Sequence, residues 1–145
     1  MSDTIHGQCL CGRVSFEIAA HIDHVDACHC SMCQHWSGSA FIGASVSETQ
    51  ISFDSETTLS WYDSSPWAKR GFCSNCGSSL FYKLTEQSDF WAVAAGALNL
   101  TGTEVMKQEI FIDEKPGYYE LAGDHPRLTG EEAMAAFKAS MEGQS

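Results

Sequence analysis

Seven cysteines in a chain of 145 residues, none of them isolated, restrict what this sequence can fold into more than any other feature. Cys9 and Cys11 form Cys-x-Cys; Cys28, Cys30 and Cys33 form Cys-x-Cys-x-x-Cys; Cys73 and Cys76 form Cys-x-x-Cys followed by Gly77. The odd count excludes a fully paired disulfide framework within one chain. The stretch from Met1 to Gly12 is polar and lacks the basic start and apolar run of a secretory signal, so a cytoplasmic protein with reduced thiols is expected. Closely spaced thiols in that setting are metal ligands or redox groups more often than bridges.

Zinc asks for a tetrahedron of thiolates with sulfur about 2.3 Å from the metal, and ligands close in sequence are presented by one tight turn at little ordering cost. Two separated pairs make one complete site, so Cys9, Cys11, Cys73 and Cys76 are expected to close a structural zinc tetrahedron. Asn75 and Gly77 are small turn-formers that let backbone N–H groups approach the sulfurs. The alternative for Cys73 and Cys76 is a thioredoxin-like redox pair, but no strand-then-helix pattern follows them. Cys28, Cys30 and Cys33 then remain as a set of three. Three protein ligands and an open fourth position is the arrangement of catalytic zinc. Two other readings stay open: a second closed site completed by His24, His29 or His35, or a metal-free redox trap. In an extended Cys-His-Cys segment the side chain of His29 points away from those of Cys28 and Cys30, which suits outer-layer or proton-transfer work better than ligation.

The rest of the chain reads as one continuous, mainly β domain over residues 1–145. Hydrophobic residues make up 43% and charged residues 19%, which is enough to build a core and far from a disordered composition. Val14, Phe16 and Ile18 alternate with Arg13, Ser15 and Glu17, the period of a half-buried strand. Ala40 to Val46, Gln50 to Phe53, Thr58 to Tyr62, Ser79 to Leu84, Phe90 to Ala95 and Glu109 to Asp113 are further strand-like runs separated by turn formers. Over residues 129–142 the pattern changes: Thr129 opens a capping box with Glu132, and Met134, Phe137 and Met141 recur at helical spacing. That stripe is expected to pack on its own domain. A net charge of −11 repels a phosphate backbone or an anionic bilayer, so neither nucleic acid nor membrane is expected as a partner.

Three segments match a known pattern together: Gly7-Gln8-Cys9-Leu10-Cys11-Gly12-Arg13-Val14-Ser15-Phe16, Cys28-His29-Cys30-Ser31-Met32-Cys33-Gln34, and Arg70-Gly71-Phe72-Cys73-Ser74-Asn75-Cys76-Gly77-Ser78-Ser79-Leu80. With Ala95 to Leu98 and Ile110 to Pro116 they resemble the glutathione-dependent formaldehyde-activating enzyme family over about residues 5–128. The resemblance implies a β-tent of small antiparallel sheets pinned by zinc. It implies that Cys9, Cys11, Cys73 and Cys76 bind a structural ion and that Cys28, Cys30 and Cys33 bind a catalytic one. It implies a carbon–sulfur lyase that makes or cleaves S-hydroxymethylglutathione from glutathione and formaldehyde.

Zinc coordination deprotonates a thiol that is otherwise a weak nucleophile at neutral pH. Three thiolates make the ion a poor Lewis acid, so capture of the substrate sulfur is expected over carbonyl activation, with His29 and His35 as proton carriers. Glutathione is an anion and this chain is acidic, so a local basic group is required; Arg70 is the first choice, followed by Lys69 and Arg13. Trp36, Phe41 and Trp67 are candidates to line a pocket. The sequence departs from the family at Glu109, where many members carry histidine, and at Tyr118 or Tyr119, where many carry tryptophan. The other functions compatible with these cysteines are a non-catalytic zinc module that binds a protein and a redox or zinc-buffering protein.

Overall fold

The computed structural model describes residues 3–85 and 88–142. Along them run β1 (Ile5–Gln8), β2 (Val14–Ile18), β3 (His24–Cys28), α1 (Ser31–Ser37), β4 (Phe41–Ser47), β5 (Ile51–Glu56), β6 (Leu59–Ser65), β7 (Ala68–Cys73), β8 (Ser79–Leu84), β9 (Phe90–Ala94), β10 (Val105–Ile110) and α2 (Gly130–Glu142). The class is mainly β with a C-terminal helix. The residues group into two compact units interleaved along the chain: one runs to Val25 and resumes over Gly43–Glu104, the other comprises Asp26–Ile42 and the residues from Val105 onward.

The first unit is built from strands that alternate. Val14, Phe16 and Ile18 on β2 are completely buried, as their two-residue period requires. β2 pairs antiparallel with β1, placing Ile18 opposite Ile5, and with β5, placing Phe16 opposite Phe53. The remaining strands form the antiparallel run β4-β9-β8-β7-β6, with Val93 of β9 opposite Phe81 of β8 and Ala44 of β4. Inside lies an aromatic cluster in which Phe81 meets Phe16 at 5.0 Å and Trp91 at 5.3 Å between ring centroids. Cys9 and Cys73 belong to the same core, which ties the first cysteine set to the unit's packing. β1 and β7 carry no strand signature in sequence, because β1 contains Gly7 and β7 contains Lys69, Arg70 and Gly71. Both are strands because their neighbours pair with them. Gly7 is required by close approach: a Cβ there would lie 2.5 Å from the Phe16 ring.

In the second unit β10 lies beside β3. β10 ends earlier than its apolar residues suggest, at Ile110 instead of Asp113. Phe111 takes the left-handed conformation, φ 56°, and turns the chain into a 3-10 turn over Ile112–Glu114. The chain then returns alongside β10: the N–H of Glu109 donates to Pro126 O and that of Leu128 to Glu109 O. α2 starts where the capping box predicts, with the Glu132 N–H donating to Thr129 Oγ1 at 3.1 Å and the Thr129 N–H to Glu132 Oε1 at 2.8 Å. Its buried residues among those described are Gly130 and Ala133. Met134 is 58% and Phe137 38% exposed, so the apolar stripe expected to pack inward is covered only in part. The side chain of Met141 lies outside the described residues.

Candidate metal centres

Each cysteine pair of the first unit sits on a tight knuckle. The N–H of Val14 donates to Cys9 Sγ at 3.3 Å, and that of Gly12 to Cys9 O at 3.2 Å. The second knuckle repeats this: the Cys76 N–H donates to Cys73 Sγ at 3.4 Å, and that of Gly77 to Cys73 O at 2.8 Å. Both close on a left-handed glycine, Gly12 at φ 82° and Gly77 at φ 81°. The four sulfurs of Cys9, Cys11, Cys73 and Cys76 lie within 4.8 Å of one another. Cys11 Sγ is 3.6 Å from Cys9 Sγ and 3.7 Å from Cys73 Sγ. A tetrahedron with sulfur about 2.3 Å from its metal has edges of about 3.8 Å, so these separations fit a zinc-sized ion. They are far longer than a disulfide bond.

Electrostatics favours thiolates on the second knuckle. The Ser78 hydroxyl and backbone N–H hold the Cys76 thiol down to about 5. Burial opposes ionisation of Cys73, but the Thr58 hydroxyl and the N–H groups of Cys76 and Asn75 outweigh it and hold its pKa below the ordinary thiol value. Cys9 is pushed the other way, chiefly by burial.

The second set forms at the junction of β3 and α1. Cys28 ends β3, and Cys30 caps α1 by accepting the Cys33 N–H at 3.4 Å, so Cys30 and Cys33 stand three residues apart on one face of the first turn. The sulfurs of Cys28, Cys30 and Cys33 lie within 4.8 Å of one another, and among the described residues no histidine nitrogen or carboxylate oxygen joins them. Contact with the Cys30 and Cys33 thiols, reinforced by burial, pushes the Cys28 thiol up strongly; three sulfurs this close release their protons together only when a cation shares the site.

His29 is fully buried. Its Nε2 donates to Glu109 Oε1 at 2.8 Å, and its Nδ1 bonds the Tyr119 hydroxyl at 2.7 Å. A ring with both nitrogens engaged in this way is placed to orient its neighbours, and it reaches outward only through Tyr119 or Glu109. His35 on α1 is exposed and donates from Nδ1 to Ser31 O at 2.7 Å. Trp36 and Phe41 pair at 5.4 Å between centroids in the second unit, whereas Trp67 is 56% exposed at the β6–β7 turn of the first. Arg70 is 3% exposed on β7, with its guanidinium 5.0 Å from the centre of the Tyr82 ring. Such burial makes it part of the first unit's packing, and an anionic ligand would reach it only if it were uncovered. Lys69 pairs with Asp63 at 3.7 Å at the surface.

Sequence reasoning missed the surroundings of Glu109. The carboxylate is fully buried, accepting from His125 Nε2 at 2.5 Å and from Arg127 Nε at 3.0 Å as well as from His29. No local signal could have found this group, because its partners are 16, 18 and 80 residues away.

This mainly β chain carries one set of four thiols and one of three, each gathered closely enough to hold a metal ion. Residues 4–114 match the model of the glutathione-dependent formaldehyde-activating enzymes, and the chain belongs to that family. The match includes all seven cysteines but ends at residue 114, short of the resemblance expected to residue 128. An uncharacterized lyase of Schizosaccharomyces pombe is 27% identical over 128 residues, 88% of this chain and 93% of the yeast protein. The crystal structure of a Rhodobacter sphaeroides protein shares the fold, with a TM-score of 0.53 at 20% identity over 84% of this chain and 98% of the other. No helix among the described residues is long and apolar enough to cross a membrane.

Proposed function

We infer that this chain is a zinc-dependent carbon–sulfur lyase or synthase that acts on a small thiol–aldehyde adduct such as S-hydroxymethylglutathione. The observation that carries this reading is the unequal division of the cysteines: four gather as one set, and three gather as another that no fourth protein ligand completes among the described residues. Cys9, Cys11, Cys73 and Cys76 would hold a structural ion, and Cys28, Cys30 and Cys33 a second ion with room for one further ligand. Zinc bound there would stabilise a substrate sulfur in its thiolate form, which leaves and attacks far more readily than a protonated thiol.

In the cleavage direction the carbon–sulfur bond of the hydroxymethyl adduct breaks and sulfur keeps the electron pair. The hydroxyl loses its proton as the carbonyl of formaldehyde forms. Synthesis reverses each step, so no oxidant or reductant is needed. The chain's own contribution is to hold three sulfurs on one short turn, with the Cys33 N–H on Cys30 Sγ and His29 anchored between Cys28 and Cys30. His29, joined to the Tyr119 hydroxyl, is the residue through which a proton would be handed on.

Metal content and turnover test this reading together. Wild-type protein should bind two zinc ions and accelerate both formation and breakdown of the adduct beyond the uncatalysed reaction. Cys30→Ser should keep the fold and one ion and lose the acceleration. Two ions indifferent to added thiol, with no rate above the uncatalysed control, would overturn the reading and favour a zinc-binding interaction module.

A further inference from the structure

The carboxylate of Glu109 is buried, charged and used by no step of the reaction above. Burial opposes its ionisation, but hydrogen bonds from His125 and His29 and the charge of Arg127 hold it below the usual carboxylate range. Three donors converge on it, and on the far side of the imidazole the Tyr119 hydroxyl closes the chain of contacts. Tyr119, His125 and Arg127 all come from the segment that follows residue 114, where the family match ends. Arg127 also donates to the carbonyls of Leu121 and Gly123 at 2.8 and 2.9 Å, which shapes the loop that carries it.

A buried ion network of this kind is weak evidence for a stabilising role, since apolar residues of the same volume often serve a core as well or better. What it does secure is position. His29 stands between Cys28 and Cys30 in the chain, and a ring fixed at both nitrogens restricts the backbone torsions that separate the two thiols. The same turn is held by its main chain: the His29 N–H donates to Ile110 O at 3.1 Å, and Gln34 Nε2 donates to His29 O at 2.6 Å.

We propose that the segment beyond residue 114 is a positioning clamp for the three-cysteine site: Tyr119, His125 and Arg127 lock Glu109 and His29, and through them set the spacing of Cys28, Cys30 and Cys33. The clamp rests on the reading of those cysteines as zinc ligands. Thiols already spaced for the metal need no ordering when it binds, whereas a loosened turn must be ordered at that moment. Partners bonded directly to a metal ligand are worth about 10- to 100-fold in metal affinity; the clamp acts through His29, which is not a ligand, so its effect is set at the lower end, about 10-fold.

Full-length wild type, Glu109→Gln and Tyr119→Phe are loaded with zinc and titrated with a chromophoric chelator; cobalt-loaded samples give visible spectra. Wild type should hold two ions. Both variants should surrender one of them at about 10-fold lower chelator concentration, keep the other as wild type does, and show an altered cobalt spectrum with unchanged far-UV circular dichroism. Cys30→Ser, lacking the weakened ion altogether, assigns it to the three-cysteine site. Tyr119→Phe removes only a hydroxyl and carries the test if Glu109→Gln does not fold. Unchanged release of both ions by folded Tyr119→Phe would overturn the clamp, as would equal loosening of both, which marks a general loss of stability. A single ion in wild type would overturn instead the two-site reading beneath it.

Discussion

Gly12 and Gly77 show how single backbone torsions shape the four-cysteine cluster. Each closes its cysteine knuckle at φ near +80°, and a Cβ at either position would meet nothing within 4 Å, so the demand is conformational and not steric. Gly77→Ala should therefore destabilise the chain by about 1–2 kcal/mol and loosen the metal of the four-cysteine set, as read by urea unfolding and chelator titration. An equal stability in the variant would mean that the knuckle tolerates another conformation. At Arg70 the conflict is between charge and burial. The residue is only 3% exposed and lies over Tyr82, so Arg70→Ala should lower the unfolding midpoint much more than it raises KM for a thiol substrate. A large KM change at unaltered stability would instead place the guanidinium on the substrate.

The elements differ in how they are held. α2 starts on a reciprocal capping box between Thr129 and Glu132, while its exposed Met134 and Phe137 show that much of its apolar stripe does not face inward. A helix held more by its N-terminus than by a buried stripe depends on its cap. Thr129→Ala should cost about 1 kcal/mol and speed amide exchange in the first turn of α2, leaving β2 and β9 unaffected. α1 carries no helix signature in the sequence. It has only seven residues, its N-cap is a cysteine in place of Ser, Thr, Asp or Asn, and Cys33 is its buried residue. Such a helix exists because the cysteines and Gly38, at φ 85°, hold its two ends. β10 was displaced because Phe111, apolar and apparently a strand residue, turns left-handed to begin the return that brings Arg127 beside Glu109.

At the scale of the whole molecule, acidity and metal act together. Two zinc ions on seven thiolates would deepen the net charge from −11 to about −14. Acid should then act on Glu109 as well as on the ligands. Its folded pKa lies below the ordinary 4.5, so its stabilisation is complete above that value and is lost as the pH falls through the folded one. The groups facing it are His29, His125 and Arg127. Urea unfolding of wild type and Glu109→Gln between pH 3 and 7 should show a stability gap that narrows below about pH 4.5, and a gap independent of pH would mean that folding does not lower the Glu109 pKa. The sequence alone determined the mainly β class, the capped C-terminal helix, the family and the division of the cysteines into four and three. Those features are local: alternation, a capping box and ligand spacing are each written within a few residues. Only the tertiary structure decided that β1 and β7 are strands, that Arg70 is packed inside and that Glu109 has partners. Burial and long-range pairing join residues up to 90 positions apart, as His29 and Tyr119 are joined, and no short stretch of sequence records which distant group will fill a buried bond.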